Sequence, residues 1–187
     1  MSTIASLADI TRVHAASQPD KIAMIFEGRE WSYADLDRES NQVANALLAA
    51  GVKAQDRVAH LDKNGPEYFS FLFGASKINA VGVAVNWRLA APEMEYILNH
   101  AGAKVLLIGE EFLGHYEQMS LESITTVVVV GDGGSHVDYN SWIASASDDD
   151  PSAEVGWTDT SYQLYTCLLY TSPSPRDQRG SGIAWCG

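Results

Sequence analysis

The sequence predicts an α/β fold in which a parallel or mixed sheet carries helices on both faces. Short, nearly continuous apolar runs at 81–85, 104–108 and 125–130 suit strands buried on both sides. Between them lie longer stretches whose apolar residues recur at helical spacing, so strand and helix alternate along the chain. The composition agrees. A chain of 187 residues, 46% hydrophobic and 19% charged, has ordinary globular usage and is long enough to bury a core as one domain or a piece of a larger one. No internal repeat is evident.

In chain order, residues 1–17 alternate loosely enough for a short amphipathic helix, and Pro19-Asp20 turns the chain. Residues 21–26 (KIAMIF) read as a strand, returned by Glu27-Gly28-Arg29 into 30–32 as a small hairpin. Ser32 with Asp35 resembles a capping box that has Asp in the Glu place, opening the clearest amphipathic helix of the chain. Its expected buried stripe is Leu36, Val43, Ala44, Leu47 and Leu48. Arg38, Asn41, Gln42 and Asn45 are expected on the other face, and Gly51 in a left-handed cap. A strand follows at 57–61. Asn64, Pro66 and Glu67 then read as cap, first-turn proline and first-turn acid. The segment 67–80, with Tyr68, Phe69, Phe71, Leu72, Phe73 and Ile78, is apolar nearly all round and is expected to be a buried helix. After a strand at 81–85, Pro92, Glu93 and Glu95 open a helix with Met94, Ile97, Leu98 and Ala101 inward and Gly102 as its stop. A strand at 104–108, a helix over 110–122, a strand at 125–130 and a helical stretch at 139–146 complete the series. The acidic run Asp148-Asp149-Asp150 is expected to be a solvated loop.

With 12 Lys+Arg against 24 Asp+Glu, the formal net charge is −12. This argues against nucleic acid or an anionic membrane as a partner, since each is itself negative. No apolar run approaches the ~18 residues of a membrane span. The opening residues lack the basic-then-apolar pattern of a signal peptide, so the expected compartment is the cytoplasm. Residues 167–187 stand apart. Both cysteines, Cys167 and Cys186, fall there with two of the six prolines, and this stretch carries +1 against −13 for residues 1–166. It reads as irregular Ser/Pro/Gly-rich chain. Neither a disulfide nor a metal pair is expected, because no second Cys pair or His-x-x-x-His completes a zinc site.

Few chemical signatures are present. No Gly-x-Ser-x-Gly elbow offers a hydrolase nucleophile. The cluster Gly131-Asp132-Gly133-Gly134-Ser135-His136 follows a strand but lacks the third glycine of a dinucleotide fingerprint and the Lys-Ser/Thr of a P-loop. A surface turn is its better reading. The five histidines (His14, His60, His100, His115 and His136) show no ligand spacing, and His100, in a last helical turn, is expected to be a favourable helix-end group. Asp62 and Lys63, at the carboxyl end of a strand, stand where open α/β sheets hold ligands, on position alone. Tyr68, Phe69, Phe71 and Phe73 could wall an acyl pocket, though packing a core helix is the stronger reading.

Four stretches resemble, in collinear order, the amino-terminal part of the AMP-forming acyl-CoA synthetases, the adenylate-forming ligases. They are QPDKIAMIFEGREWSYADLDRESNQVANALLAAGV, DRVAHLDKNGPEYFSFLFGASKINAVGVAVNWRL, APEMEYILNHAGAKVLLIGEEF and DTSYQLYT. The resemblance covers residues 1–166 and implies a partial N-terminal domain of that fold. It implies activation of a carboxylic acid, fatty or related, by ATP and Mg²⁺ to an acyl-adenylate, which coenzyme A then converts to a thioester. The family's phosphate loop should follow as Ser-Gly-Thr-Thr-Gly-x-Pro-Lys-Gly, whose glycines admit the phosphates to backbone amides. Here Cys167-Leu168-Leu169 replaces it, and Pro173 removes an amide donor. Only Thr166 carries over as a cofactor-binding residue. No catalytic or metal-ligating residue carries over. The loss of motif coincides with the shift in composition, which favours a truncated reading frame joined to unrelated sequence, and CLLYTSPSPRD resembles translated sequencing-adapter read-through. The chain itself is therefore expected to be inert and to bind none of these cofactors tightly. The competing class is a non-catalytic α/β binding or interaction module; a compact flavodoxin-like nucleotide or flavin binder is a third.

Overall fold

The apolar runs assemble side by side into a single parallel sheet. The computed structural model describes residues 4–165. The chain begins with α1 (Leu7–Ser17), then an antiparallel hairpin of β1 (Ile22–Phe26) and β2 (Arg29–Ser32), then α2 (Tyr33–Ala49). There follow β3 (Arg57–Leu61), α3 (Pro66–Lys77), β4 (Val81–Ala84), α4 (Ala91–Ala101) and β5 (Ala103–Gly109). A 3₁₀ turn (Glu110–Phe112), α5 (Leu113–Tyr116), β6 (Thr126–Val130), β7 (Val137–Asp138), α6 (Tyr139–Ala144) and β8 (Tyr162–Gln163) complete it. The sheet order is β7-β6-β5-β3-β4-β8, with every neighbouring pair parallel.

Parallel strands must be covered on both faces, and they are. On one face Val58, Val105, Leu107 and Val128 meet Val43, Ala44 and Leu47 of α2, Phe71 and Ala75 of α3, and Tyr139 and Ile143 of α6. On the other, Ala59, Leu61, Val83, Leu106 and Ile108 meet Met94, Ile97, Leu98 and Ala101 of α4 with Phe112. The caps follow the sequence reading. Asp35 N–H donates to Ser32 Oγ (3.1 Å), and the Asp35 carboxylate accepts from Ser32 N–H (3.1 Å). Gly51 (φ 82°) and Gly102 (φ 63°) take the left-handed conformation that ends α2 and α4.

Several expectations are corrected. Leu48 is 44% exposed, whereas Asn41 is buried, so the inward stripe of α2 contains a polar residue and omits its last leucine. Gly65, not Asn64, is the N-cap of α3, and no side chain caps it. Helix α3 is not buried all round: Phe69 is exposed and Tyr68, Leu72 and Phe73 are half-buried. The expected helix over 110–122 ends at Tyr116. The acidic run is only partly a solvated loop, since Asp150 pairs with Arg12 (2.5 Å). Cys167, Cys186 and the 167–187 boundary lie outside the described residues.

Candidate functional site at the carboxyl edge of the sheet

From β3 the chain goes to β4 on one side, then crosses to place β5 on the other. The carboxyl ends of β3 and β5 therefore frame a topological switch point, where open α/β sheets form ligand crevices. Asp62 and Lys63 leave β3 there, and the sequence singled out both. Asp62 lies against Gly109 at the end of β5, so closely that a Cβ on Gly109 would fall 2.3 Å from Asp62 Oδ1. Burial holds the Asp62 carboxyl above the usual carboxylate range. The Lys63 backbone amide donates to it (2.7 Å) and works the other way, while Glu111 and Glu67 reinforce the rise.

Lys63 Nζ reaches both oxygens of Glu111, at 2.6 and 2.8 Å. Both side chains are more than half exposed, so this pair contributes little stability and serves mainly to place charge. Lys63 Nζ also lies 5.7 Å from the centre of the Trp87 ring, and the Arg88 guanidinium lies 4.0 Å from it. Trp87 is thus a platform with two cations near its ring, worth about 0.5–1 kcal/mol each at an exposed site. Glu111 and this platform were not identified from the sequence as site residues. Trp87 and Arg88 stand in the Val85-Asn86-Trp87-Arg88-Leu89 ending, the one signal that could have found them.

Beside this edge, β8 pairs with β4 through Gly82 with Tyr162 and Val83 with Gln163. Gly82 has no side chain because the Tyr162 ring occupies the space: a Cβ there would sit 2.8 Å from it. The Tyr162 hydroxyl is 3.2 Å from that of Tyr68 on α3, and burial holds the Tyr162 phenol above its ordinary pKa. Tyr165 Oη lies 2.7 Å from His100 Nδ1 and accepts a hydrogen bond from Gln163 Nε2 (2.7 Å). Two residues beyond β8 the described chain ends at Tyr165, so Thr166, the cofactor-binding candidate, lies outside it. The Gly131–Gly134 turn takes its surface role: its Asp132 amide donates to the Glu110 carboxylate.

His60 lies under Tyr68 (ring centres 5.0 Å) and burial pulls it down to about 4, so it is neutral at pH 7. Among the described residues no three His, Cys, Asp or Glu side chains are placed to hold a metal ion. A cleft of about 560 Å³ lies at the other end of the sheet, between the start of α1, the end of α3 and residues 153–161. Its charged groups are already engaged, Arg12 with Asp150 and Asp159 with Asn79, so the switch point remains the better chemical candidate.

Comparison with known proteins matches this architecture to one family. The family model described as AMP-binding enzyme matches residues 11–172. The fatty acid–[acyl-carrier-protein] ligase ScoC of Streptomyces coeruleorubidus is 40% identical over 162 residues, covering 86% of this chain and 30% of that protein. The crotonobetaine/carnitine–CoA ligase of Citrobacter koseri is 37% identical over 168 residues, covering 82% and 32%. The crystal structure of the anthranilate CoA ligase AuaEII in complex with anthranoyl-AMP superposes with a TM-score of 0.74 at 31% identity, covering 77% of this chain and 29% of that one. The chain spans about a third of the length of the curated relatives it matches. No helix among the described residues is long and apolar enough to cross a membrane. The parallel sheet, its order and the family match over most of the sequence agree, and the chain belongs to the AMP-binding enzyme family.

Proposed function

We propose that residues 1–166 are the amino-terminal portion of the adenylation domain of an enzyme that activates a carboxylic acid, fatty or related, for thioester formation. The observation that carries this reading is the shared chemistry of the relatives: ligases joining an acid to a carrier thiol, one of them solved with an acyl-AMP. In such a reaction a carboxylate oxygen attacks the α-phosphorus of ATP, the bond to the β-phosphate breaks and pyrophosphate leaves. The thiol of coenzyme A then attacks the acyl carbon and AMP leaves. Mg²⁺ bound with the nucleotide would supply charge neutralisation at the phosphates.

This chain's own contribution is scaffold and positioning. Asp62, Lys63 and the Trp87 platform stand along one edge at the switch point, and Thr166, which follows Tyr165 in the sequence, would donate its hydroxyl to a phosphate oxygen. We assign residues 167–187 to unrelated sequence. With them in place of the glycine-rich loop, the 187-residue chain is expected to be inert and its tight binding of ATP or coenzyme A lost. A cytoplasmic setting fits substrates of this kind. The test is a pyrophosphate-release assay with ATP, Mg²⁺ and a panel of acyl acids on the pure chain: no turnover is expected, and turnover would overturn the assignment of inertness. Sequencing the genomic DNA downstream of the Thr166 codon tests the tail, which a continuous gene encoding residues 167–187 would restore to the protein.

A further inference from the structure

Strand β8 is poorly held by its own backbone. It has two ladder partners, Gly82 and Val83, and stands at the end of the sheet. Yet on the reading above it must deliver Thr166 to a defined place. Its side chains make up the deficit from both faces. Tyr162 lies over Gly82 and meets Tyr68 of α3, while Tyr165 packs into the opposite core layer and meets His100 of α4.

We propose that His100 is a positioning residue that holds the end of β8, through the Tyr165 hydroxyl, immediately before Thr166 in the chain. The inference rests on the reading of Thr166 given above. The role of Gln163 follows from the atom present. Gln163 Nε2 can only donate, so Tyr165 Oη accepts from it. Tyr165 Oη and His100 Nδ1 share one hydrogen bond (2.7 Å), in which either atom can donate. The ring plane is set on two sides: Tyr96 stacks on His100 (5.4 Å, 21°) and Tyr165 meets it edge-on (5.7 Å, 90°). His100 can occupy this place because Gly102 ends α4 two residues later.

The test is amide hydrogen exchange of residues 162–165 in the full chain at pH 7.5, with amides of 105–108 in β5 as an internal reference. His100→Leu should accelerate exchange at 162–165 by about fivefold, the scale of one net hydrogen bond, and Tyr165→Phe, which also loses the bond from Gln163, by at least as much. The double variant should be no faster than Tyr165→Phe alone. His100→Gln, which offers an amide oxygen as acceptor, should recover most of the protection. Unchanged exchange in His100→Leu, additive effects in the double variant, or His100→Gln behaving as His100→Leu would each overturn the proposal. If His100→Leu also loosens β5, the contrast between His100→Leu and His100→Gln decides, because both lose the ring and only the second keeps a hydrogen-bonding partner for Tyr165. No nucleotide enters the measurement, so its failure and a failure of the proposed ATP chemistry are distinguishable.

Discussion

Lys77 carries an ammonium group into the interior between α2 and α3. Its side chain is wholly buried, and its ammonium donates to Asp37 Oδ1 (2.6 Å), the Asp37 carbonyl (3.2 Å) and Asn41 Oδ1 (2.5 Å). Burial pulls the ammonium below its ordinary pKa, and Asp37 opposes that. A helical period marks an inward face by its apolar residues, so the pattern places Asn41 outward although it is a polar member of the inward face of α2. The pair is asymmetric, which gives a prediction. Asp37→Ala strands a buried cation and should cost about 3 kcal/mol in urea denaturation, whereas Lys77→Met leaves a carboxylate that reaches water and should cost less than about 1.5 kcal/mol. Equal costs would sink this account. His60 supplies a second prediction. Its folded-state pKa of about 4 lies below the unfolded value of 6.5, so the unfolded chain binds the extra proton between these limits. The stability from neutral His60 is complete above about pH 6.5 and is lost as pH falls to 4, to the extent of about 3 kcal/mol. His60→Leu should flatten the stability profile over that window, and an unaltered slope would count against it.

At the scale of elements, those whose boundaries are encoded locally were the legible ones. The Ser32 and Asp35 box, Gly51, Pro92 and Gly102 mark ends within a few residues of sequence, and α2 and α4 appear where these predict. The helix expected over 110–122 fails because its amides are claimed by neighbours distant in sequence. Ser120 N–H donates to Glu95 Oε2 (2.7 Å) and Glu122 N–H to Asn99 Oδ1 (3.0 Å), both on α4, so the chain unwinds after Tyr116. The switch-point group was legible only by position for the same reason: the bond between Lys63 and Glu111 spans 48 residues. The contact between α2 and α3 is similarly non-local. A Cβ on Gly74 would lie 2.6 Å from Val43 Cγ1 and 2.9 Å from the Ser40 carbonyl. Gly74→Ala gains helix propensity of about 1 kcal/mol yet must push the two helices apart. It should therefore lower stability by about 1–3 kcal/mol in thermal or urea unfolding, and a stabilised variant would mean that the helices do not approach this closely.

At the scale of the whole molecule, the sheet order imposes a problem that no single element solves. After α6 the chain is at the β7 edge, and β8 must be laid down at the opposite one, so residues 145–161 cross the whole sheet without regular structure. Backbone in such a strap has few partners of its own, and side chains of the helical layer supply them. Asn41 donates to the Asp148 carbonyl (2.9 Å) and Asn45 to those of Ser147 (2.9 Å) and Asp149 (2.8 Å). Arg12 grips Asp150 through two bonds (2.5 and 2.8 Å), and Gln55 exchanges bonds with Thr160 (3.1 Å each). An acidic triplet read as solvated is therefore half an anchor, because only the fold brings α1 and α2 beneath it. Glu154 is exposed in the middle of the strap and Glu27 at the hairpin tip, so a glutamyl endopeptidase can report on both in one digest. Replacing Arg12 by Met, Asn41 by Ala and Asn45 by Ala removes the grips upstream of Glu154 without touching the hairpin. If the strap is held by these side chains, cleavage at Glu154 should accelerate by about tenfold, the effect of one to two net hydrogen bonds, while cleavage at Glu27 keeps its rate. Equal acceleration at both sites would show general loosening instead, and no change at Glu154 would mean that the crossing is held by packing alone.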